Sequence, residues 1–386
     1  MSRIRLIVLV ALVAGPALRP VWSQTRLRTY ASRYYILHTD LPRDAVREAE
    51  LRITAMAEMY HARTRSFAGR ITSKLPFYLY SRPADYYAAG GVRGSAGLFD
   101  GRRLMAIAGS QTTGSTWHVI QHEGFHQFVH AVIGGDIPVW VNEGLAEYFG
   151  EAIFTGDGFV TGIVPPPRLA RLQGLIRQRR TRSIERMMRT TYDDWNAGLS
   201  VVNYDQAWSM VHFLAHGDGG RYQKAFNNFI RDVSHGMRWP ASWKKNFGTG
   251  TRAFEQKWRR YWLDLPADPT ADRYAQATAA TLTSFLGRAA AQRQTFASFE
   301  EFRTKAAAGR LMIAPRDWLP PALLADALKR VDTAGTWELR RRAGRWQLLC
   351  HMDDDTTLLG TFKLNKRRLV RDSVQVKFIR KARRRR

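Results

Sequence analysis

The chain has 386 residues, 45% of them hydrophobic. At roughly 100–200 residues per domain that is enough for one large domain and a smaller one, each with its own core. Lys and Arg outnumber Asp and Glu by 60 to 33, for a formal net charge of +27. With a mean hydropathy of −0.35, this excludes a polytopic membrane protein and turns attention to anionic partners.

Only the first segment is apolar enough for a membrane. Arg3 and Arg5 precede an apolar run from Leu6 to Val13, Gly15 and Pro16 interrupt it, and Val21-Trp22-Ser23 follows. A basic start, a short apolar run and a small residue predict an export leader over 1–23, and hence a periplasmic or secreted protein. The run is far short of the ~20 residues a membrane span requires, so an uncleaved anchor is the lesser alternative. Cys350 is the single cysteine. No intramolecular disulfide can form, so the fold must be held by its core.

Tyr34 to His38 is a β-rich run, and a helical pattern covers about 43–66. Leu75 to Tyr80 predicts a second strand. Gly97-Leu98-Phe99 and Leu104 to Ala108 flank Asp100-Gly101, a hairpin signal. Ser115 is placed to cap a helix running to Ile133, where Gly134-Gly135 stops it. Another helix starts near Pro138, and further helical stretches cover about 166–180, 183–191, 204–216, 220–233 and 251–262. Leu265-Pro266 with Asp268-Pro269 marks a boundary. An Ala-rich helix over about 270–295 follows. Alternating runs at Trp337–Arg341, Trp346–His351, Thr357–Leu364 and Val374–Ile379 then predict a small antiparallel sheet. Strands and a helix followed mostly by helices predict an α+β fold. The expected parts are a domain over 24–265, a helical and β region over 266–362 and a basic tail over 363–386. From Lys363 onward twelve Lys or Arg face one acid, Asp372. Such a tail either docks on an anionic surface or is simply solvated. No aromatics interleave the last four arginines, which disfavours specific nucleic-acid binding.

The chemistry concentrates in His122-Glu123-Gly124-Phe125-His126. Histidines four apart on a helix lie about 40° apart and can share one ion, with Glu123 beside them. Val119, Val129 and Ile133 share their face, so the imidazoles point inward, where buried polar groups need partners. His118 and His130 continue the spacing at the flanks of that face and are expected as solvent-edge or hydrogen-bonded residues. After the glycine break, Asn142-Glu143-Gly144-Leu145-Ala146-Glu147 predicts a second amphipathic helix with Glu143 and Glu147 on one face. The short connection makes the helices antiparallel neighbours, so Glu143 can reach the metal, and Glu147 can accept the outer N–H of a ligand histidine. Two imidazoles and a carboxylate suit Zn²⁺ and leave a position open, whereas structural zinc sites favour closed Cys/His shells.

The pairing of His-Glu-x-x-His with Asn-Glu-Gly-Leu-Ala-Glu resembles the gluzincin metallopeptidases, thermolysin and the aminopeptidase N family among them, and in particular the exported bacterial peptidase-MA-like proteins. The resemblance covers roughly residues 30–265 and is specific only at its motifs. It implies one zinc ion held by His122, His126 and Glu143, Glu123 as general base, and hydrolysis of a peptide or protein substrate. It also implies Glu147 as the acid behind a ligand histidine, and, from the run at Val201 to Leu214, Tyr204 as donor to the developing oxyanion. His212, two turns after Tyr204, is a further candidate. The strand Leu104-Met105-Ala106, if at a sheet edge, could pair with an extended substrate. It lacks the acid that grips a free amine in the aminopeptidase N family, so aminopeptidase action is not implied. Val129 and Val132 stand where a metzincin needs Gly and a third His. The alternative is a metal-binding but catalytically silent domain that attaches to surfaces through its basic tail.

Overall fold

The computed structural model describes residues 26–380 apart from 110–113, 134–135, 199, 249, 343, 354, 367 and 371. The expected leader, the Gly134-Gly135 stop and the terminal arginines lie outside the described residues. Among those described, no helix is long and apolar enough to cross a membrane.

The first half builds a mixed sheet from β1 (Arg28–Ala31), β2 (Tyr35–Thr39), β3 (Leu75–Tyr80), β4 (Gly97–Phe99) and β5 (Leu104–Ile107). The strand order is β1-β2-β3-β5-β4. β2, β3 and β5 run parallel, and β1 and β4 pair antiparallel at the two edges. Helix α1 (Arg43–Thr64) connects β2 to β3, and short α2 (Pro83–Ala88) follows β3. Helices α3 (Gly114–Val132) and α4 (Val139–Gly150) come next. Tyr60 of α1 is the hub between the sheet layer and these helices. Its ring meets Phe125, Phe128 and Phe149 at centroid distances of 5.4, 5.4 and 5.0 Å, and its hydroxyl donates to the Gln121 carbonyl. Each such fully buried aromatic ring contributes on the order of 2–3 kcal/mol of apolar burial.

A two-stranded ribbon, β6 (Ile153–Phe154) with β7 (Phe159–Val160), leads to a helical lobe: α5 (Pro166–Arg177), α6 (Ile184–Arg189), α7 (Tyr192–Ala197), α8 (Val201–Gly220), α9 (Gln223–Ser234), α10 (Trp239–Phe247) and α11 (Thr251–Asp264). Helix α8 breaks at Gly217 to Gly219, where the backbone leaves helical geometry. One hydrophobic core runs from Tyr35 to Trp262.

A second core begins beyond the Leu265-Pro266 boundary. Long α12 (Ala271–Ala291), α13 (Phe299–Ala307), α14 (Pro321–Leu328) and α15 (Val331–Ala334) lead to β8 (Thr336–Arg342), β9 (Arg345–His351) and β10 (Thr356–Thr361). The hairpin β11 (Leu364–Asn365) with β12 (Arg368–Leu369) precedes β13 (Gln375–Arg380). The antiparallel sheet has the order β13-β10-β9-β8. Phe154 of β6 inserts into this second core, and Arg288 of α12 pairs with Asp157 at 2.9 Å, joining the halves.

The fold is α+β, as expected, with three corrections. Ser115 lies inside α3 rather than capping it, since the helix already includes Gly114. The described residues of the expected tail at 363–386 are not simply a tail: they form the β11–β12 hairpin and, at the expected run Val374–Ile379, the outer strand β13. The strand at 104–107 is not an edge. β4 covers it, and Leu104, Met105 and Ala106 have no exposed surface.

Candidate metal centre

Helix α3 presents His122 and His126 on one face because four residues nearly complete a turn, while Gln121, Phe125 and Phe128 face the core. Antiparallel α4 lies against that face and brings Glu143 to both rings. The three ligand atoms form a nearly equilateral triangle. The two Nε2 atoms are 3.1 Å apart, and each lies 3.5 Å from Glu143 Oε2. Zinc ligands at about 2.0–2.1 Å in a tetrahedron stand about 3.3 Å from one another, so the triangle has the size of one tetrahedral face.

The outer nitrogens fix the tautomers. His122 Nδ1 lies 3.0 Å from Glu147 Oε1, and His126 Nδ1 lies 3.1 Å from Asn142 Oδ1. Asn142 is oriented in turn by donating from Nδ2 to the Tyr192 hydroxyl at 2.7 Å. Both outer partners are acceptors, so each Nδ1 carries the hydrogen. Two Nε2 lone pairs are then aimed at one point beside a carboxylate, and a shared cation relieves the clash. The donor set fits a zinc ion.

The charges agree. Burial opposes protonation of His122, yet its contacts with Glu143 and Glu147 hold its pKa well above the ordinary histidine value. Glu143 is drawn down to about 2 against the effect of burial, chiefly by His126 and His122. Glu147 is likewise held well below its ordinary range by His118, His122 and Arg168. A pocket that attracts a proton this strongly attracts a metal ion for the same reason.

His122, one corner of the triangle, lines a cleft of about 700 Å³ whose walls also include Val119, Glu123, Glu147, Val201 and Tyr204. Glu123 Oε2 accepts from the backbone N–H of Phe99 in β4 at 2.9 Å. Gly97 allows that approach: a Cβ there would stand 2.5 Å from Val119 Cγ1 and 3.4 Å from Glu123 Cγ. The Tyr204 ring lies 6.1 Å from that of His122. Burial, then the charge of Glu143, pushes its pKa up to about 12, so the phenol keeps its proton.

His122, His126, Glu143, Glu147, Glu123 and Tyr204 therefore converge, and four other candidates do not. Leu104, Met105 and Ala106 lie inside the sheet, away from any free edge. His212 is buried among Trp208, His216 and Trp262, with its Nε2 3.4 Å from the Gly162 carbonyl oxygen. An imidazole enclosed by indoles cannot reach the cleft.

Arg168 carried no separate signal in the sequence. Arg168, at the start of α5, is buried with Nη1 2.7 Å from both Glu147 Oε2 and Glu151 Oε1, and its Nε is 2.9 Å from Asp205 Oδ1. It neutralises the acids behind the ligands. His118, expected at the flank, stands 3.6 Å from Glu147 and forms a second trio with His122 and Glu147 within reach of one ion. The guanidinium of Arg168 already occupies Glu147, so a second cation there would be repelled.

A family model described as a protein of unknown function (DUF1570) matches residues 116–238, a segment that contains every residue of this site except those of the sheet. No curated protein matches the chain.

Proposed function

We propose that the chain is a zinc-dependent metallopeptidase of the gluzincin type, exported from the cytoplasm and acting on peptide or protein substrates. The observation that carries this function is the triangle of two Nε2 atoms and one carboxylate oxygen, of which His122 lines a cleft that Glu123 also borders. When bound, the zinc ion supplies Lewis acidity toward water and toward a carbonyl oxygen.

The chain's own groups supply the rest. Glu123 Oε2 is held by Phe99, which leaves Oε1 to take a proton from the attacking water and return it to the leaving amine. Tyr204, protonated up to about pH 12, donates to the oxyanion that develops on the carbonyl. The edge strand is β4. Asp100 and Ile107 use the inner hydrogen bonds of the hairpin, so Gly97 and Phe99 turn their backbone groups outward; the Phe99 N–H serves Glu123, and an extended peptide can pair with Gly97 and the Phe99 carbonyl beside it.

Zinc analysis together with cleavage of casein and a peptide library tests this on wild type and Glu123→Gln. Zinc in both proteins is expected, with cleavage reduced about 10²–10⁴-fold in the variant. Equal cleavage by both would remove Glu123 from the mechanism. Bound zinc with no cleavage by wild type would favour the silent, surface-attaching alternative.

A further inference from the structure

The last described stretch of the chain combines two features that are rarely combined without a partner. Nine large hydrophobic residues are exposed among those described, and four of them, Leu364, Val370, Phe378 and Ile379, fall between β11 and the end of β13. Phe378 is 39% and Ile379 44% exposed. They are interleaved with Lys363, Lys366, Arg368 and Lys377, all exposed, and none of these cations is in an ion pair among the described residues. Beyond Ile379 the sequence continues Arg-Lys-Ala-Arg-Arg-Arg-Arg.

Among the described residues β13 is the outermost strand of its sheet, paired with β10 alone. A lysine on such a strand is an ordinary guard against edge-to-edge pairing. Phe378 and Ile379 undo that guard. They stand opposite Leu358 and Thr357 and so project to opposite faces of the strand, which exposes apolar surface on both sides of a free edge.

We propose that the β11–β13 segment docks the protein on an anionic phospholipid surface. Lys and Arg meet the headgroup phosphates, and Leu364, Val370, Phe378 and Ile379 enter the boundary between headgroup and acyl chain. A polyanion such as nucleic acid would use the cations alone. It has no use for three exposed aliphatic side chains, and one phenylalanine is a poor stacking platform. The mode of attachment is peripheral, and it is independent of the chemistry in the cleft.

Co-sedimentation of the full chain with vesicles decides the matter. Vesicles of phosphatidylcholine with about one-third phosphatidylglycerol are expected to bind it, and pure phosphatidylcholine to bind far less. Phe378→Ser with Ile379→Ser, and separately Leu364→Ser, are expected to weaken binding about tenfold or more. Val92→Ser with Met312→Ser, equally exposed apolar residues elsewhere, are expected to leave it unchanged. Unchanged zinc content and melting temperature show that each variant is folded.

Absence of binding to anionic vesicles overturns the proposal. So does binding that Lys377→Glu with Arg368→Glu abolishes while the serine variants keep it, since that marks a simple polyanion site. A concentration-dependent dimer in the absence of vesicles, lost in the Phe378→Ser/Ile379→Ser protein, would instead make a second copy of the chain the occupant.

Discussion

At the scale of single residues, the site depends on side chains that never touch the ion position. His126 is aimed by Asn142, and Asn142 by Tyr192, which is 46% exposed on the short helix α7. Removing the Tyr192 hydroxyl leaves the amide of Asn142 free to turn its NH₂ toward His126 and favour the wrong tautomer. Tyr192→Phe is therefore expected to weaken zinc binding by about tenfold in a chelator competition, with the melting temperature of the metal-free protein unchanged. Wild-type affinity in the variant would take Tyr192 out of the site. Arg168 acts at the same remove. It gathers Glu147, Glu151 and Asp205 around one buried guanidinium, which lets Glu147 stay charged behind His122.

At the scale of elements, the spacing of His122, His126, Glu143 and Glu147 was enough to place both ligand helices and the right face of each, because helical periodicity is a local property. The edge strand beside Glu123 was less readable. A hairpin at Asp100-Gly101 is a local signal, but which of its two strands becomes the edge depends on whether β3 pairs with β4 or with β5. That pairing joins residues far apart in sequence, and β5 won it. The short elements α7, α10 and β6–β7 also escaped detection, since each is too brief to establish a period and is held by tertiary contacts such as that of Trp243 in α10 with Phe229 in α9, ring centroids 5.7 Å apart.

Element packing yields a further test. Gly144, in the Asn-Glu-Gly motif, lets α4 and α8 touch: a Cβ there would stand 2.5 Å from the Ala207 carbonyl oxygen and 2.6 Å from Val211 Cγ2. A backbone carbonyl cannot step aside, so Gly144→Ala must separate the helices that carry Glu143 and Tyr204. The expected cost is about 1–3 kcal/mol, seen as a drop of several degrees in melting temperature. A wild-type melting temperature would show that the helices have room to spare.

At the scale of the whole molecule, two cores meet along a seam formed by β6–β7, Asp157 and the start of α12. Near it lies a pair of histidines that the proposed chemistry does not use. His216 Nε2 is 2.9 Å from the Tyr148 hydroxyl, and the His212 ring is 4.7 Å from that of His216. Burial, then the neighbouring His216, lowers the His212 pKa to about 3. Burial, then Arg273 and Arg63, lowers His216 to about 4. Both folded values lie below the unfolded value of 6.5, so below that pH the unfolded chain takes up protons that the folded chain refuses. The stability present above pH 6.5 is then lost progressively as the pH falls toward 4. Melting temperatures taken from about pH 7 to about pH 5 should fall less steeply for His212→Gln than for wild type. Parallel slopes would show that His212 does not carry the effect.

Sequence alone pointed to the His122, Glu123, His126 and Glu143 cluster, to the α+β order of elements and to a break near Leu265, because each follows from local period, local breakers or residue chemistry. Only the folded chain decided which strand forms the edge beside Glu123, that Arg168 balances the buried acids, that His212 belongs to the core, and that the basic C-terminal stretch begins with the β11–β12 hairpin. Each of those outcomes depends on contacts between residues distant in the chain, and no local pattern encodes which partner a strand, a guanidinium or an imidazole will meet.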